Sequence, residues 1–321
     1  MLEQSAAIEQ MNKLGSNRIP FFFFTDFLAT QTWIKPLDEI TPDELQFEIT
    51  DQLSGGHSDR PFTFSKNPPA RSVFNASFER VVNAINYGNS YLVNLTFQTP
   101  IQTNLSLQEI YNLSRAKYKL RYTDRFVVFS PETFVKIRDG RIFSYPMKGT
   151  IDAGIPEAEQ KILQDPKEMA EHVTIVDLIR NDLSQIATNV TVTKFRFISE
   201  VKTHEKKLLQ VSSEIRGNLP ENYLNELGTL FYKLLPAGSI SGAPKKQTIQ
   251  IIEEAEHYNR QFYTGVCGVF DGENLDSGVM IRFVENQEGQ LVYKSGGGIT
   301  SFSIADKEYQ EIIDKVYLPI H

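Results

Sequence analysis

A chain of 321 residues with 40% apolar and 23% charged side chains means a folded, soluble protein of one or two domains. Its net charge of −7 disfavours nucleic acid or an anionic membrane as partner, and any anionic substrate must meet positive groups gathered locally. The single cysteine, Cys267, excludes an internal disulfide, the opening MLEQSAAIEQMNK shows no cleavable signal pattern, and the apolar run 21–24 is too short to span a membrane. A cytoplasmic protein is the expectation.

Residues 51–70 are polar and rich in Gly, Pro and Ser. They read as a long loop dividing a short N-terminal portion, 1–76, from a core, 77–321, within one domain. Beyond it the pattern predicts a helix over 77–88, a strand over 90–98, a helix over 106–116 and a hairpin over 126–146. Helices at 157–163 and 167–181 and strands at 190–198 and 207–216 come next, then a helix over 221–233, a Gly-rich loop and a helix over 245–258. Strands at 263–271, 277–285 and 290–295 and a last helix over 306–317 complete the list. Helices punctuating runs of two or three antiparallel strands favour an α+β fold over a doubly wound parallel sheet.

The hairpin carries the most informative residue. Asp139-Gly140 is a strong two-residue turn signal between segments rich in aromatic and β-branched residues. Pairing Arg138 with Arg141 sets Glu132 opposite Met147, with backbones within roughly 5 Å. A carboxylate and the Lys148 amine then share the open end of one hairpin. Strict alternation points Glu132 and Lys148 to opposite faces, unless Pro131, Pro146 and Gly149 break it. A lysine beside a turn also reads as an ordinary solvated side chain.

Two acidic pairs stand out. Glu168 and Glu171, and again Glu308 and Glu311, are three apart on predicted helices, so each pair shares a face that continues an apolar stripe. Carboxylates in line with a buried stripe call for a cation, and oxygen donors without a Cys or His cluster suit Mg²⁺. Asp165-Pro166-Lys167-Glu168 equally reads as an N-cap, a Pro at the first helical position and a capping glutamate.

The segment 236–245 precedes a helix whose expected first residue is Pro244. Ser239, Gly242 and Ala243 within it are candidate ligand contacts. It lacks the Gly-Lys-Ser/Thr of a Walker loop, and Gly296-Gly297-Gly298 fails the dinucleotide fingerprint. Both glycine segments also serve as plain tight turns or as bare backbone for close approach of a ligand. Arg282, inside the predicted strand 277–285, needs a partner if buried.

Taken in order, these segments resemble one family, the chorismate-utilising enzymes, and within it the branch that forms aminodeoxychorismate. The carriers are Tyr91-Leu92-Val93-Asn94-Leu95-Thr96, Ser130-Pro131-Glu132-Thr133-Phe134, Pro146-Met147-Lys148-Gly149-Thr150, the run 171–183, the 236–245 loop, Gly296-Gly297-Gly298-Ile299 and Glu308-Tyr309-Gln310-Glu311. They span about 77–316 without interruption. The resemblance implies two orthogonally packed antiparallel sheets with helices outside and chorismate bound with Mg²⁺ between them. Glu168, Glu171, Glu308 and Glu311 become the Mg²⁺ shell. Tyr293, Arg282, Lys315 and the N–H groups of Gly297 and Gly298 become receivers of the substrate carboxylates.

Lys148 matches the nucleophilic lysine of the aminodeoxychorismate branch, where anthranilate-forming members carry a small residue. The implied reaction is covalent: neutral Lys148 adds at ring C2 as the C4 hydroxyl leaves with a proton from Glu132, and ammonia then adds at C4 and expels the lysine. Gln210 stands where anthranilate-forming members place a histidine associated with pyruvate loss. His204, six residues earlier, takes that place only under a shifted alignment. Cys267 reads as a core residue rather than an amidotransferase nucleophile, so ammonia comes from solution or from a separate glutamine amidotransferase subunit. The implied product serves 4-aminobenzoate and folate synthesis. Other readings are anthranilate formation, isochorismate formation, or a non-catalytic chorismate-binding regulatory subunit.

Overall fold

The structure, a computed structural model, describes residues 1–52, 55–56, 61–202 and 207–320. The N-terminal part runs β1 (Leu2–Glu3), α1 (Gln4–Ser16), β2 (Phe21–Thr25), β3 (Gln31–Pro36), β4 (Leu45–Ile49) and β5 (Phe64–Lys66). Then follow α2 (Arg71–Asn86), β6 (Leu92–Thr103), α3 (Leu107–Leu113), β7 (Tyr118–Tyr122), β8 (Phe126–Ser130), β9 (Thr133–Arg138), β10 (Arg141–Ser144) and β11 (Met147–Asp152). After α4 (Ala158–Gln164) and α5 (Pro166–Ser184) come the long strands β12 (Thr188–Lys202) and β13 (Lys207–Asn218). The last part is α6 (Leu227–Tyr232), α7 (Gly238–Ser241), β14 (Gly242–Ala243), α8 (Lys245–Ala255), β15 (Val266–Phe270), β16 (Leu275–Val279), β17 (Phe283–Gln287), β18 (Gln290–Ile299) and α9 (Ala305–Asp314).

Every strand pairing among the described residues is antiparallel, and the strands form two sheets, giving the α+β class. The larger runs β1-β3-β2-β15-β16-β9-β10-β13-β11, with β12 on the free side of β13; the smaller runs β14-β6-β18-β17-β8-β7-β4, with β5 on β6. The N-terminal portion therefore completes both sheets. In β2 the period-2 rule divides four consecutive phenylalanines: Phe22 and Phe24 pack with Phe126, Val128 and Phe283 of the smaller sheet, whereas Phe21 and Phe23 join the core under α1 and α6. None of the helices among the described residues is long and apolar enough to cross a membrane.

Two predicted strands are in fact pairs of strands that change sheets. β8 lies in the smaller sheet and β9 in the larger, with the corner at Pro131-Glu132, and β17 and β16 make the same switch beside them, with the corner at Met280-Ile281-Arg282. The corners are stitched by Val279 N–H to Glu132 O (3.0 Å) and Phe129 N–H to Arg282 O (3.1 Å), and Arg282 takes φ +56°. A proline and a left-handed residue thus end regular pairing on adjacent strands and open a gap between the sheets.

Other departures have local causes. α2 starts at Arg71 rather than Ser77, directly after Pro68-Pro69, and its N-cap Ala70 makes no side-chain cap. Ser77 instead sits mid-helix and donates to Ala255 O at 2.8 Å. Gly296–298 is not a loop: it continues β18, with Thr96, Leu95 and Asn94 as partners. The Asp139-Gly140 turn holds as read, both residues at positive φ and Arg138 facing Arg141.

A buried ion pair ties the smaller sheet to the helices beside it. The Glu256 carboxylate, just past α8, accepts from the Thr96 N–H and hydroxyl of β6 (2.8 Å each) and pairs with Arg260 at 2.6 Å. Arg260 also donates to the carbonyls of Asn94 (2.6 Å) and Ile240 (3.0 Å), so one guanidinium ties β6, α7 and α8 together. Arg260→Leu is expected to cost about 3–5 kcal/mol in urea unfolding, because Glu256 stays buried without its partner. Replacing Arg260 and Glu256 together by leucine should cost less than Arg260→Leu alone.

Candidate active site

A cavity of about 510 Å³ opens at the two sheet corners. It is lined by Glu132, Lys148, Glu168, Glu171, Ser239, Arg282, Gly297, Gly298, Glu308, Glu311 and Lys315, so eleven of the residues singled out from sequence meet in one place. Glu132 and Arg282 arrive from the paired corners. Lys148 arrives from β11, which leaves β9 and β10 and, among the described residues, pairs with β13 alone: Met147 faces Ser212, not Glu132. The expected Glu132–Met147 pairing is therefore replaced by two separate breaks, at Pro131 and Pro146. A register shift between Met147 and Thr150, with Gly149 at φ +85°, turns this segment toward the cavity.

The helices bring the acids. Asp165 caps α5 by accepting the Glu168 N–H at 3.0 Å with Pro166 in the first turn, so the capping reading holds for the backbone. The Glu168 carboxylate itself lies against Gly149, where a Cβ would stand 3.0 Å from its Oε2. Bare backbone does the same in β18: a Cβ on Gly297 would lie 3.4 Å from Glu311 Oε1 and 3.7 Å from Glu308 Oε2, and one on Gly298 would lie 3.3 Å from Lys148 Nζ. Glycine in β11 leaves room for Glu168, and glycine in β18 leaves room for Glu308, Glu311 and the Lys148 amine.

Glu132 accepts a hydrogen bond from Ser239 Oγ at 2.5 Å. Burial raises its carboxyl pKa above the ordinary range, and the Ser239 bond and the charges of Lys148, Arg282 and Lys315 offset this only in part. Lys315 pairs with Glu311 at 2.6 Å and donates to Gly296 O at 2.9 Å; burial lowers its pKa and Glu311 opposes the shift. Arg282 is half-buried over the ring of Tyr317, 5.6 Å from its centroid.

Three of the sequence candidates do not line the cavity. Gly242 and Ala243 form β14 and pair with Val93 and Leu92 of β6; a Cβ on Gly242 would collide with Leu92 O at 1.9 Å, so this glycine serves sheet pairing rather than ligand contact. Tyr293 is fully buried in β18 beneath the lining, beside Phe129, and its hydroxyl has no hydrogen-bond partner among the described residues. Gln210 does line the cavity, as the Cα partner of Thr150. His204 lies outside the described residues. Cys267 is buried in β15, where desolvation pushes its thiol up to about 12.

Sequence reading passed over Asn94, Asp182 and Tyr263, which also line the cavity. Asp182 was within reach of the pattern, because Glu168, Glu171, Ile175, Ile179 and Asp182 recur at helical spacing on α5. Its carboxylate pairs with Lys245 at 2.8 Å. Asn94 and Tyr263 carry no comparable local signal.

Charge balance bears on what the cavity can hold. With Glu132 biased toward its neutral form and Asp182 paired to Lys245, Glu168, Glu171, Glu308 and Glu311 outnumber the lining cations Lys148, Arg282 and Lys315. A divalent cation held among these acids would lower the repulsion that a dianion meets there. Among the described residues no three acidic, histidine or cysteine side chains already close on one point. The acids stand as two pairs, on α5 and on α9, and this donor set fits Mg²⁺, which takes one or two carboxylates directly and keeps several waters.

This chain is 49% identical over 98% of its length, and 96% of the other's, to an uncharacterized PabA-like protein of Haemophilus influenzae. It is 33% identical to aminodeoxychorismate synthase component 1 of Salmonella typhimurium over 78% of this chain and 57% of that one. The crystal structure of anthranilate synthase component I from Streptococcus pneumoniae superposes with a TM-score of 0.66 at 25% identity, covering 81% of this chain and 60% of that one. The sequence profile of the chorismate binding enzymes matches residues 22–320, taking in the smaller sheet, the larger sheet apart from β1 and Phe21, and the whole cavity, and the chain belongs to that family.

Proposed function

We propose that the protein is an aminodeoxychorismate synthase component I, which aminates chorismate to 4-amino-4-deoxychorismate through a covalent intermediate on Lys148. The observation that carries this reading is the placement of Lys148 Nζ against Gly298, in the same cavity as a Glu132 carboxyl whose burial favours the protonated form. The amine adds at ring C2, the ring double bonds shift, and the C4 hydroxyl leaves as water with the Glu132 proton. Ammonia then adds at C4, the bonds shift back and Lys148 is released. Glu168, Glu171, Glu308 and Glu311 would hold Mg²⁺, which offsets the charge of the substrate carboxylate. Arg282, Lys315 and the Gly297 and Gly298 backbone receive the carboxylates. Ser239 holds Glu132 in place.

Ammonia is supplied by a separate glutamine amidotransferase subunit, and the product feeds 4-aminobenzoate and folate synthesis in the cytoplasm. The likeness to an anthranilate synthase structure favours a second reading, anthranilate formation. Lys148 and Gln210 in the cavity lining weigh against it: an amine able to form the adduct is present, and Gln210 has no proton to give for pyruvate loss. Mass-resolved product analysis from chorismate, Mg²⁺ and ammonium separates the two. The expected product keeps its enolpyruvyl group and becomes 4-aminobenzoate only after a lyase is added; fluorescent anthranilate would overturn the assignment.

A further inference from the structure

α5 carries one more polar side chain toward the sheet, His172, next to Glu171. Its imidazole is fully buried, with Nε2 2.7 Å from Ser213 Oγ and Nδ1 without a hydrogen-bond partner among the described residues. Ser213 of β13 is equally buried and makes two further bonds. Its Oγ accepts the Arg196 N–H at 2.9 Å, and its own N–H donates to Pro146 O at 3.0 Å, two residues before Lys148. One side-chain contact therefore connects the helix bearing Glu168 and Glu171 to the segment bearing the amine.

The neighbouring backbone is shaped around this contact. β12 and β13 slip by one residue between Lys194 and Phe197, and Arg196 takes φ +48° inside the slip. Such a bulge re-aims a side chain. Here it turns the Arg196 guanidinium onto the end of α4, where it donates to Ile162 O (3.0 Å) and Leu163 O (2.6 Å). A cation there satisfies carbonyls that a helix leaves open. Ile162 of α4 in turn packs under Gly149, which would carry a Cβ 3.3 Å from Ile162 Cδ1. A buried ring with one unsatisfied nitrogen costs free energy that an apolar side chain would not.

We propose that His172 is a positioning residue: through Ser213 it locks α5 onto the Pro146–Lys148 segment and so fixes the distance between the acids Glu168 and Glu171 and the reactive amine. The proposal rests on the reading of these groups as one reaction site. Its test compares His172→Leu, His172→Gln and Ser213→Ala in the full chain, the glutamine amide standing near the place of Nε2. Mg²⁺ is titrated calorimetrically with chorismate present and ammonium absent, and kcat, KM and thermal unfolding without Mg²⁺ are measured alongside.

His172→Leu and Ser213→Ala are expected to weaken Mg²⁺ binding by about tenfold or more. Both should lower kcat with the KM for ammonium unchanged, and His172→Gln should return Mg²⁺ affinity close to the parental value. A folded His172→Leu with parental Mg²⁺ affinity and kcat would overturn the proposal. So would Ser213→Ala behaving as the parent while His172→Gln fails like His172→Leu, since the ring would then only fill space. Should His172→Leu not fold, the other two variants decide by the same criteria. A parental protein that binds Mg²⁺ but does not aminate chorismate contradicts the proposed function instead, and the Mg²⁺ affinities still decide the role of His172.

Discussion

Lys148→Ala is expected to lower ammonium-dependent turnover of chorismate by about 10³-fold or more, as loss of a covalent nucleophile does elsewhere. The amine is half-buried at the cavity wall and stands over Gly298, so its removal opens space in a site that is already open. Stability should change by no more than about 1 kcal/mol. Substrate binding should survive in part, because Arg282 and Lys315 remain to meet the carboxylates. A fall in kcat with chorismate KM nearly unchanged would place the lysine in the chemistry, whereas a rise in KM alone would make it only a cationic contact.

Glu132→Gln is expected to cost about 10²–10⁴-fold in kcat, the usual contribution of a positioned proton donor. The pH profile carries more information than the size of the loss. Burial raises the Glu132 pKa, so below that pKa the carboxyl keeps its proton and acts as the acid; as pH rises through it the proton is lost and turnover falls. The glutamine variant should lose this alkaline limb, and a limb left unchanged would assign it to another group. Stability follows the same sign. A carboxyl whose folded pKa lies above its unfolded pKa contributes stability that is full at low pH and lost as pH rises through the folded value. Glutamine keeps the shape without that loss, so Glu132→Gln should be at least as stable as the parent at neutral pH.

The site was legible where one local signal fixes both identity and placement. Asp139-Gly140 specifies its turn through two positive φ angles, and the 168/171 and 308/311 spacings need only a helix to share a face. Legibility fails where pairing is non-local. Nothing in the apolar run 277–285 tells that Gly278 pairs in one sheet and Phe283 in the other, since both halves are buried and read alike. The same holds for 126–138, where only Pro131 hints at the corner. Gly242 and Gly298 illustrate the remaining ambiguity. Both are glycines near candidate site residues, yet a Cβ on Gly242 would meet Leu92 O at 1.9 Å, whereas one on Gly298 would stand 3.1 Å from Leu92 Cδ1 and 3.3 Å from Lys148 Nζ, at the cavity wall. The position of Tyr293 beneath the lining also follows from the register of β18 on β6, which composition and spacing do not reveal.

Whether this cavity aims the Lys148 amine at the chorismate ring is read from peptide mapping of protein quenched during turnover with chorismate and Mg²⁺. A mass increase of chorismate less one water is expected, confined to the peptide containing Lys148 and absent from Lys148→Ala. An adduct on another residue, or the same adduct in Lys148→Ala, would contradict it.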